Sequence, residues 1–406
     1  MAGQTVVVLG GGVGGLTAAN SLRRRLGREH RVVLVDRTGE HLFAPSLLWL
    51  MVGQREPRQL VKDLRRMVEP GVEVLVSDVE AIEPEGKQIR SSGGDLGYDA
   101  LVVSLGAELA PERMPGIAAG HNFFDLEGAT AFREALARFE GGRAVVVVTG
   151  LPFKCPAAPY EAALLIEDAL RRRGLRGRSE VAIYTPEPQP MPVAGPAMGE
   201  AVASLLAARG IHYHPNHAVE TIDAERRELV IRGGERVPFD LLAAVPPHRP
   251  PKVVAASPLA NEAGWVPVDR ATLATRFDGV YAIGDVAAVT LANGRPLPKA
   301  GVFAHAEGLA VAETIAGRLL GARAAPARFS GEGYCWVELG GGQAAFATGE
   351  FYAEPNPVLR LQRPGRMWHL GKVLFERYWM GDGLGRALAA AGLSLGGRVF
   401  GVPAAL

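Results

Sequence analysis

Apolar and polar positions along the chain alternate between two periods. Residues 5–9 (TVVVL) and 31–36 (RVVLVD) are short, nearly unbroken apolar runs of the kind that form buried strands. Between them a glycine turn leads into residues 14–26, which predict a helix. Strand, turn, helix and strand in this order form a βαβ unit. Residues 72–76 and 100–105 (ALVVSL) extend the same sheet. A second series opens at residues 143–149 (RAVVVVT). It continues with a helix at 160–173, a strand at 180–184 and a helix at 197–209. Residues 279–285 (GVYAIGD) predict a return to the first sheet. From about residue 326 a third region follows: a strand-like YCWVEL, a turn at Gly340–Gly342, a strand around 344–351, and two amphipathic segments. No repeat with a period of 20–50 residues interrupts this order.

These elements predict an α/β fold class: two tandem Rossmann-like domains, the first discontinuous, plus a C-terminal region with amphipathic helices. The expected boundaries are 1–110 for the first part of the first domain, 111–255 for the second, 256–325 for the return segment and 326–406 for the C-terminal region. A length of 406 residues agrees, since it exceeds one ordinary domain. With 48% hydrophobic and 21% charged residues the chain can bury a sizeable core, and a net charge of +1 argues against a nucleic-acid partner. Residues 1–20 lack the basic start of a secretory signal, and glycines break their apolar run. No stretch reaches the roughly 20 apolar residues needed to span a bilayer. The expected location is therefore the cytoplasm or the membrane face bordering it. The two cysteines, Cys155 and Cys335, match neither a C-x-x-C nor a zinc-ligand spacing, so no metal site is expected. They are either incidental or catalytic.

The first chemistry-bearing motif is Gly10-x-Gly12-x-x-Gly15, after a strand and opening a helix. Gly10 permits the tight turn, Gly12 lets backbone approach a pyrophosphate, and Gly15 allows close helix–strand packing, with the helix N-terminus facing the phosphates. Asp36 ends the second strand, where an acid can accept a ribose hydroxyl. The ligand is NAD or FAD by this motif alone. Tyr281-Ala282-Ile283-Gly284-Asp285 resembles the second flavin motif of two-dinucleotide-domain flavoproteins, and Tyr98–Ala107, containing Gly106, resembles their linking motif. That resemblance implies FAD, with Gly284 and Asp285 at the ribityl chain and the following helix pointing at the flavin.

The second domain departs from that pattern. Its opening strand leads into Gly150-Leu151-Pro152-Phe153-Lys154-Cys155-Pro156, a turn with one glycine and two prolines. Proline removes N–H donors that would hold a pyrophosphate, so no NAD(P)H site is expected here. Instead the loop presents Cys155 near a helix N-terminus and beside Lys154, both of which favour a thiolate. Glu161, one turn on, is a candidate to handle a proton; the alternative is a solvated or capping acid.

Pro152–Glu161 (PFKCPAAPYE) together with Tyr334–Glu338 (YCWVE) resembles the sulfide:quinone oxidoreductases and the flavin subunit of flavocytochrome c sulfide dehydrogenase. The resemblance covers essentially the whole chain. It includes His41–Pro45 (HLFAP), similar to the family's flavin-side loop, with Pro45 a cofactor contact. It also includes Pro298-Lys299-Ala300-Gly301, similar to the Lys-bearing loop beside the isoalloxazine. The resemblance implies that Cys155 and Cys335 flank the flavin and cycle through a disulfide or polysulfide. Hydrosulfide would attack the bridge, leaving a persulfide on one cysteine and a thiolate on the other. Lys299 would stabilise charge on reduced flavin, unless it is an ordinary surface lysine. The third cysteine of many members is missing, so non-covalent FAD is expected.

Without an NAD site the electrons would leave to a quinone or a cytochrome. Residues 366–380 place Arg366, His369, Lys372, Glu376 and Arg377 on one helical side, with Met367, Leu370, Leu374, Phe375 and Tyr378 mostly opposite. Leu384, Leu388, Ala391, Leu395 and Val399 follow at helical spacing. Such segments lie in a bilayer interface or pack on the protein's own core. The first choice implies a peripheral protein on the cytoplasmic membrane that meets a quinone there, with Phe346 and Phe375 as candidate quinone contacts. Sulfide, a quinone and the membrane surface are the expected partners, with a homo-oligomer an open alternative. The competing readings are a flavocytochrome-type sulfide dehydrogenase, a type II NADH:quinone reductase, and a flavin-bound thiol sensor without turnover.

Overall fold

The structure is a computed structural model and describes residues 3–321 and 325–402. Two parallel sheets organise it. In the first, Val-rich β1 (Thr5–Leu9) leads through the glycine turn into α1 (Val13–Arg25) and returns as β2 (Arg31–Asp36). β3 (Val72–Val76) and β4 (Ala100–Val103) follow. The second sheet begins with β5 (Gly142–Val148), continues through α2 (Ala158–Arg172), β6 (Ser179–Tyr184), α3 (Pro196–Ala207) and β7 (His212–His214), and closes with β8 (Leu241–Val245). Its order is β7-β6-β5-β8, all parallel. The chain then rejoins the first sheet as β9 (Val280–Ala282), pairing parallel to β4 and completing the order β9-β4-β1-β2-β3. Each unit also carries a three-stranded antiparallel flap, within residues 79–97 and 219–238. A parallel strand has helices over both faces and needs apolar side chains on both, which explains the Val runs rather than strict alternation.

The helix that follows Asp285 is α4 (Gly301–Leu319). It crosses α1 at small residues: a Cβ on Gly308 would stand 2.7 Å from the Gly14 carbonyl oxygen.

The C-terminal region is an antiparallel sheet of β10 (Glu332–Gly340), β11 (Gln343–Glu350) and β12 (Val358–Gly365), followed by α5 (Arg366–Met380) and α6 (Gly383–Phe400). β12 was not expected from the sequence. It is an edge strand carrying Arg360, Gln362 and Arg363, so the apolar signal of a buried strand is absent. Residues 403–406, the end of the tail considered above, lie outside the described residues.

The two sides of α5 are disposed in an unusual way. Lys372 and Glu376 are buried, and Met367 and Leu370 are exposed. Part of the polar side faces inward because ionic partners wait there: Glu161 for Lys372, Glu338 for the half-buried His369, Arg55 and Ser46 for Glu376, whereas Arg366 and Arg377 of the same side are exposed. In α6, Leu384 is 76% and Leu395 65% exposed, and Leu388 and Val399 are exposed with them, while Ala389 is buried. The apolar stripe of α6 therefore does not pack on the protein's own core.

Candidate active site

The glycine turn has the form of a phosphate seat. Gly10 has φ +99°, and a Cβ there would stand 2.4 Å from the Ser104 carbonyl oxygen. A Cβ on Gly15 would stand 1.9 Å from the Gly10 carbonyl oxygen, whereas one on Gly12 would meet nothing within 4 Å. The middle glycine thus borders open space. The first turn of α1 has no side-chain cap and no acidic residue, so its N–H groups remain available to an anion. Asp36 stands at the rim, accepting backbone N–H groups of Gly11 (2.8 Å), Thr38 (2.9 Å) and Gly39 (3.0 Å). Pro45 lies in the short helical turn Ala44–Ser46, next to Phe43. Gly106 has φ +68° and borders open space as well.

Gly284 donates its N–H to the Glu307 carboxylate at 2.6 Å. Lys299 donates to the Asp285 carbonyl oxygen, and its ammonium lies 3.7 Å from the centre of the Trp265 ring. It is not a surface lysine: burial lowers its pKa to about 8. Burial likewise raises Glu307 to about 8 and raises Asp285.

The second domain's loop closes onto this group. The Cys155 N–H donates to the Lys299 carbonyl oxygen at 2.7 Å, and the Cys155 carbonyl accepts from Ala158 at 2.9 Å. These two bonds hold Cys155 at φ +56°, a conformation that costs a non-glycine residue roughly 1–3 kcal/mol. Gly150 leaves little room for a phosphate, since a Cβ there would stand 3.2 Å from Pro247. Cys335 comes from β10, with its thiol donating to the Trp336 carbonyl at 3.3 Å. Both thiols are free, and they lie near enough that charge on Cys155 raises the pKa of Cys335.

The expectation of a ready thiolate at Cys155 is overturned. Burial pushes its thiol up to about 12, and the Glu161 charge adds to the rise. Cys335 is raised for the same two reasons and by Cys155. Lys154, adjacent in sequence, is not among the charges that act on Cys155; the cation that does is Lys372, from α5. Burial thus favours the protonated form of both thiols, and Glu161 is the acid whose charge acts on both. It is neither solvated nor a cap, being 2% exposed and bonded to Lys372, itself 5% exposed. Burial raises the pKa of Glu161 against the lowering effect of Lys372.

Around Cys335 the structure gathers aromatic rings that the sequence scatters. Trp336 lies 5.2 Å from Phe346 and 5.4 Å from Phe375, centroid to centroid. Phe346 stacks on Trp368 at 4.8 Å, and Phe375 tilts against Phe43 at 5.8 Å, next to Pro45. Phe346 is completely covered, while Phe375 is half-buried. The Trp336 indole N–H is buried with no partner among the described residues. Trp379 donates to His41 Nε2 at 2.8 Å, and His41 Nδ1 lies 2.8 Å from the Gly11 carbonyl, so α5 is linked to the glycine turn. Sequence reasoning missed Lys372, Glu338, Trp336 and Trp379 as site residues. An inward-facing polar helix side has no signature in the sequence, because its partners lie 31 to 338 positions away.

The model for the family described as pyridine nucleotide-disulphide oxidoreductase matches residues 4–308. The mitochondrial sulfide:quinone oxidoreductase of Mus musculus is 28% identical over 301 residues, 69% of this chain and 65% of the relative. That alignment spans less than two thirds of the mouse protein. The sulfide-quinone reductase of Aquifex aeolicus is 25% identical over 395 residues, 92% of this chain and 90% of its own. The crystal structure of the sulfide:quinone oxidoreductase from Aquifex aeolicus superposes with a TM-score of 0.81 at 24% identity, covering 92% of this chain and 90% of that one. That likeness establishes the fold.

Proposed function

The chain belongs to the pyridine nucleotide-disulphide oxidoreductase family, and from that premise we propose that it oxidises sulfide at Cys155 and Cys335 and passes the electrons through FAD to a quinone. Members of the family are FAD-binding flavoproteins. The residues here fit that cofactor: the open space at Gly12 and the uncapped start of α1 suit the pyrophosphate, Asp36 the ribose, and Gly284 and Asp285 the ribityl chain. Bound FAD supplies a two-electron acceptor beside the thiols.

One observation carries the proposal. Where the second domain would cradle a pyridine nucleotide, the loop instead presents Cys155, tied to the Lys299 loop and electrically coupled to Cys335. In the oxidised form the two cysteines would be bridged. Hydrosulfide attacks one sulfur, forming an S–S bond to it, breaking the bridge and leaving the other as thiolate. Glu161, whose charge acts on both thiols, takes and returns their protons. Lys299, half-buried near Asp285 and Glu307, offsets negative charge that grows at the reaction centre.

The quinone and the membrane surface belong to the same proposal. The exposed stripes of α5 and α6 would enter the interfacial region of a bilayer, placing the aromatic wall of Trp336, Phe346 and Phe375 near a lipid-soluble acceptor. Among the described residues no helix is long and apolar enough to cross a membrane, so the contact would be peripheral. Sulfide-dependent reduction of a short-chain quinone by the purified, FAD-loaded protein is the test. A yellow, folded protein whose flavin sulfide does not bleach refutes the proposal.

A further inference from the structure

We infer that the exposed faces of α5 and α6 form a docking surface for a bilayer rich in anionic phospholipid, with the helix pair lying flat and its arginines seated on lipid phosphates. The inference rests on the membrane contact proposed above and adds to it the lipid class and the orientation. The two helices form an antiparallel hairpin. Trp368, near the start of α5, lies 5.3 Å from Phe400, at the end of α6, centroid to centroid. At the other end the Arg386 guanidinium lies 5.1 Å from the centre of the Tyr378 ring. Between these ends a Cβ on Gly392 would stand 3.2 Å from the Leu374 side chain. On α5, Arg366, Leu370 and Arg377 recur at helical spacing, share the outer face and are all exposed. On α6, exposed Arg398 follows exposed Leu395 by one turn, on the same face as Leu388. The hairpin therefore carries arginines at both ends, Arg366 with Arg398 and Arg377 with Arg386, and exposed leucines between. Arg366 and Arg377 stand about 16 Å apart along the helix axis.

These arginines lack the partners that other arginines of the chain have. Arg31 pairs with Glu73 at 2.8 Å, Arg133 with Glu56 at 2.7 Å and Arg318 with Asp278 at 2.6 Å. Among the described residues the ion pairs of the hairpin engage His369, Lys372, Glu376 and Asp382, and none of these arginines. Asp382, at the junction of the helices, is taken by Lys62 at 2.5 Å. The whole chain has a net charge of only +1, so the basic excess here is a local segregation.

Unpaired guanidinium groups bracketing exposed leucines match the layering of a bilayer interface. The leucines enter the acyl boundary, and the arginine stems reach along it to phosphate oxygens, which the planar guanidinium binds bidentately. A zwitterionic headgroup offers the same phosphate but cancels its charge with an ammonium. An anionic headgroup leaves that charge uncompensated, so the net attraction selects anionic lipid. Arginines at both ends also set the pose. Lifting either end from the surface forfeits a pair of phosphate contacts, so the hairpin lies flat.

The test uses the FAD-loaded full chain and sedimentation with vesicles of phosphatidylcholine alone or with a third phosphatidylglycerol. Each arginine at an anionic surface strengthens binding by about fivefold, so phosphatidylglycerol should tighten binding by about 100-fold. In about 1 M salt, where screening acts beyond about 3 Å, the two vesicles should be bound alike. Arg366→Gln, Arg377→Gln, Arg386→Gln and Arg398→Gln together should remove the preference, with flavin content and thermal midpoint unchanged, while the leucines keep the binding to phosphatidylcholine. Each single replacement should cost about fivefold on the anionic vesicles alone, and these serve if the combined variant does not fold. A cost confined to one end of the hairpin overturns the flat pose. Equal binding of the wild type to both vesicles, or a preference that survives the replacements, overturns the lipid selection and leaves the membrane contact standing. Binding to neither vesicle overturns both, and self-association lost with Leu388→Glu would then assign the face to a second copy of the chain.

Discussion

Replacing Lys372 with Met would convert a buried ion pair into a buried lone acid. Methionine fills most of the lysine stem, so the packing around Trp49, whose ring centre lies 4.8 Å from the ammonium, changes little. What changes is Glu161, which keeps its place in the interior with no cation beside it. Breaking a buried pair at one partner costs about 3–5 kcal/mol. The acid limits that cost by taking up a proton, and this fixes the pH signature. In the wild type Lys372 lowers the pKa of Glu161 against the rise from burial; without Lys372 only the rise remains. A carboxyl whose folded pKa lies above the unfolded value of about 4.3 binds more protons when folded, so stability falls as pH rises through that window. Lys372→Met should then approach the wild type near the unfolded pKa and diverge from it toward neutral pH. Each pKa unit of displacement is worth about 1.36 kcal/mol. The assay is the thermal midpoint followed by protein and flavin fluorescence across pH, where 1 kcal/mol moves the midpoint of roughly 150–250 residues by about 2–4 °C. Glu161→Gln combined with Lys372→Met should regain most of the loss and remove the pH dependence. A loss independent of pH, or one that the double variant does not reduce, would refute the reasoning and mark the effect as packing.

Three further outcomes follow from the site. Cys155→Ser and Cys335→Ser should each keep FAD yet lose sulfide-dependent turnover by several orders of magnitude, with the double variant hardly worse, because the pair acts as a unit; near-normal turnover in either would separate the cysteines from the chemistry. NADH should bleach the flavin very slowly or not at all, since Pro152, Pro156 and the crowding at Gly150 leave a poor phosphate cradle; rapid stoichiometric bleaching would favour an NADH dehydrogenase. Leu388→Glu with Leu395→Glu should release the protein from liposomes and slow reduction of a long-chain quinone more than bleaching by sulfide; unchanged sedimentation with liposomes would make the stripe structural.

The sequence by itself determined the frame. The glycine turn, the Val-rich strands and Asp36 specify a dinucleotide fold because each is a local demand: tight backbone, a helix N-terminus, an acid at a strand end. The prolines around Cys155 spoke against a second dinucleotide site for an equally local reason. The C-terminal segments were legible as amphipathic, but amphipathicity does not say which side faces in. Only the tertiary structure decided that Lys372 and Glu376 of α5 are buried, because Glu161 and Arg55 come from remote elements to pair with them. The same distance explains the one clear error. Neighbours in sequence suggested a Cys155 thiolate beside Lys154, whereas the pKa of a group answers to burial and to charges in space. Periodicity reports how a segment relates to its own axis; the ionic partners that reverse a helix or hold a proton on a thiol are supplied by packing.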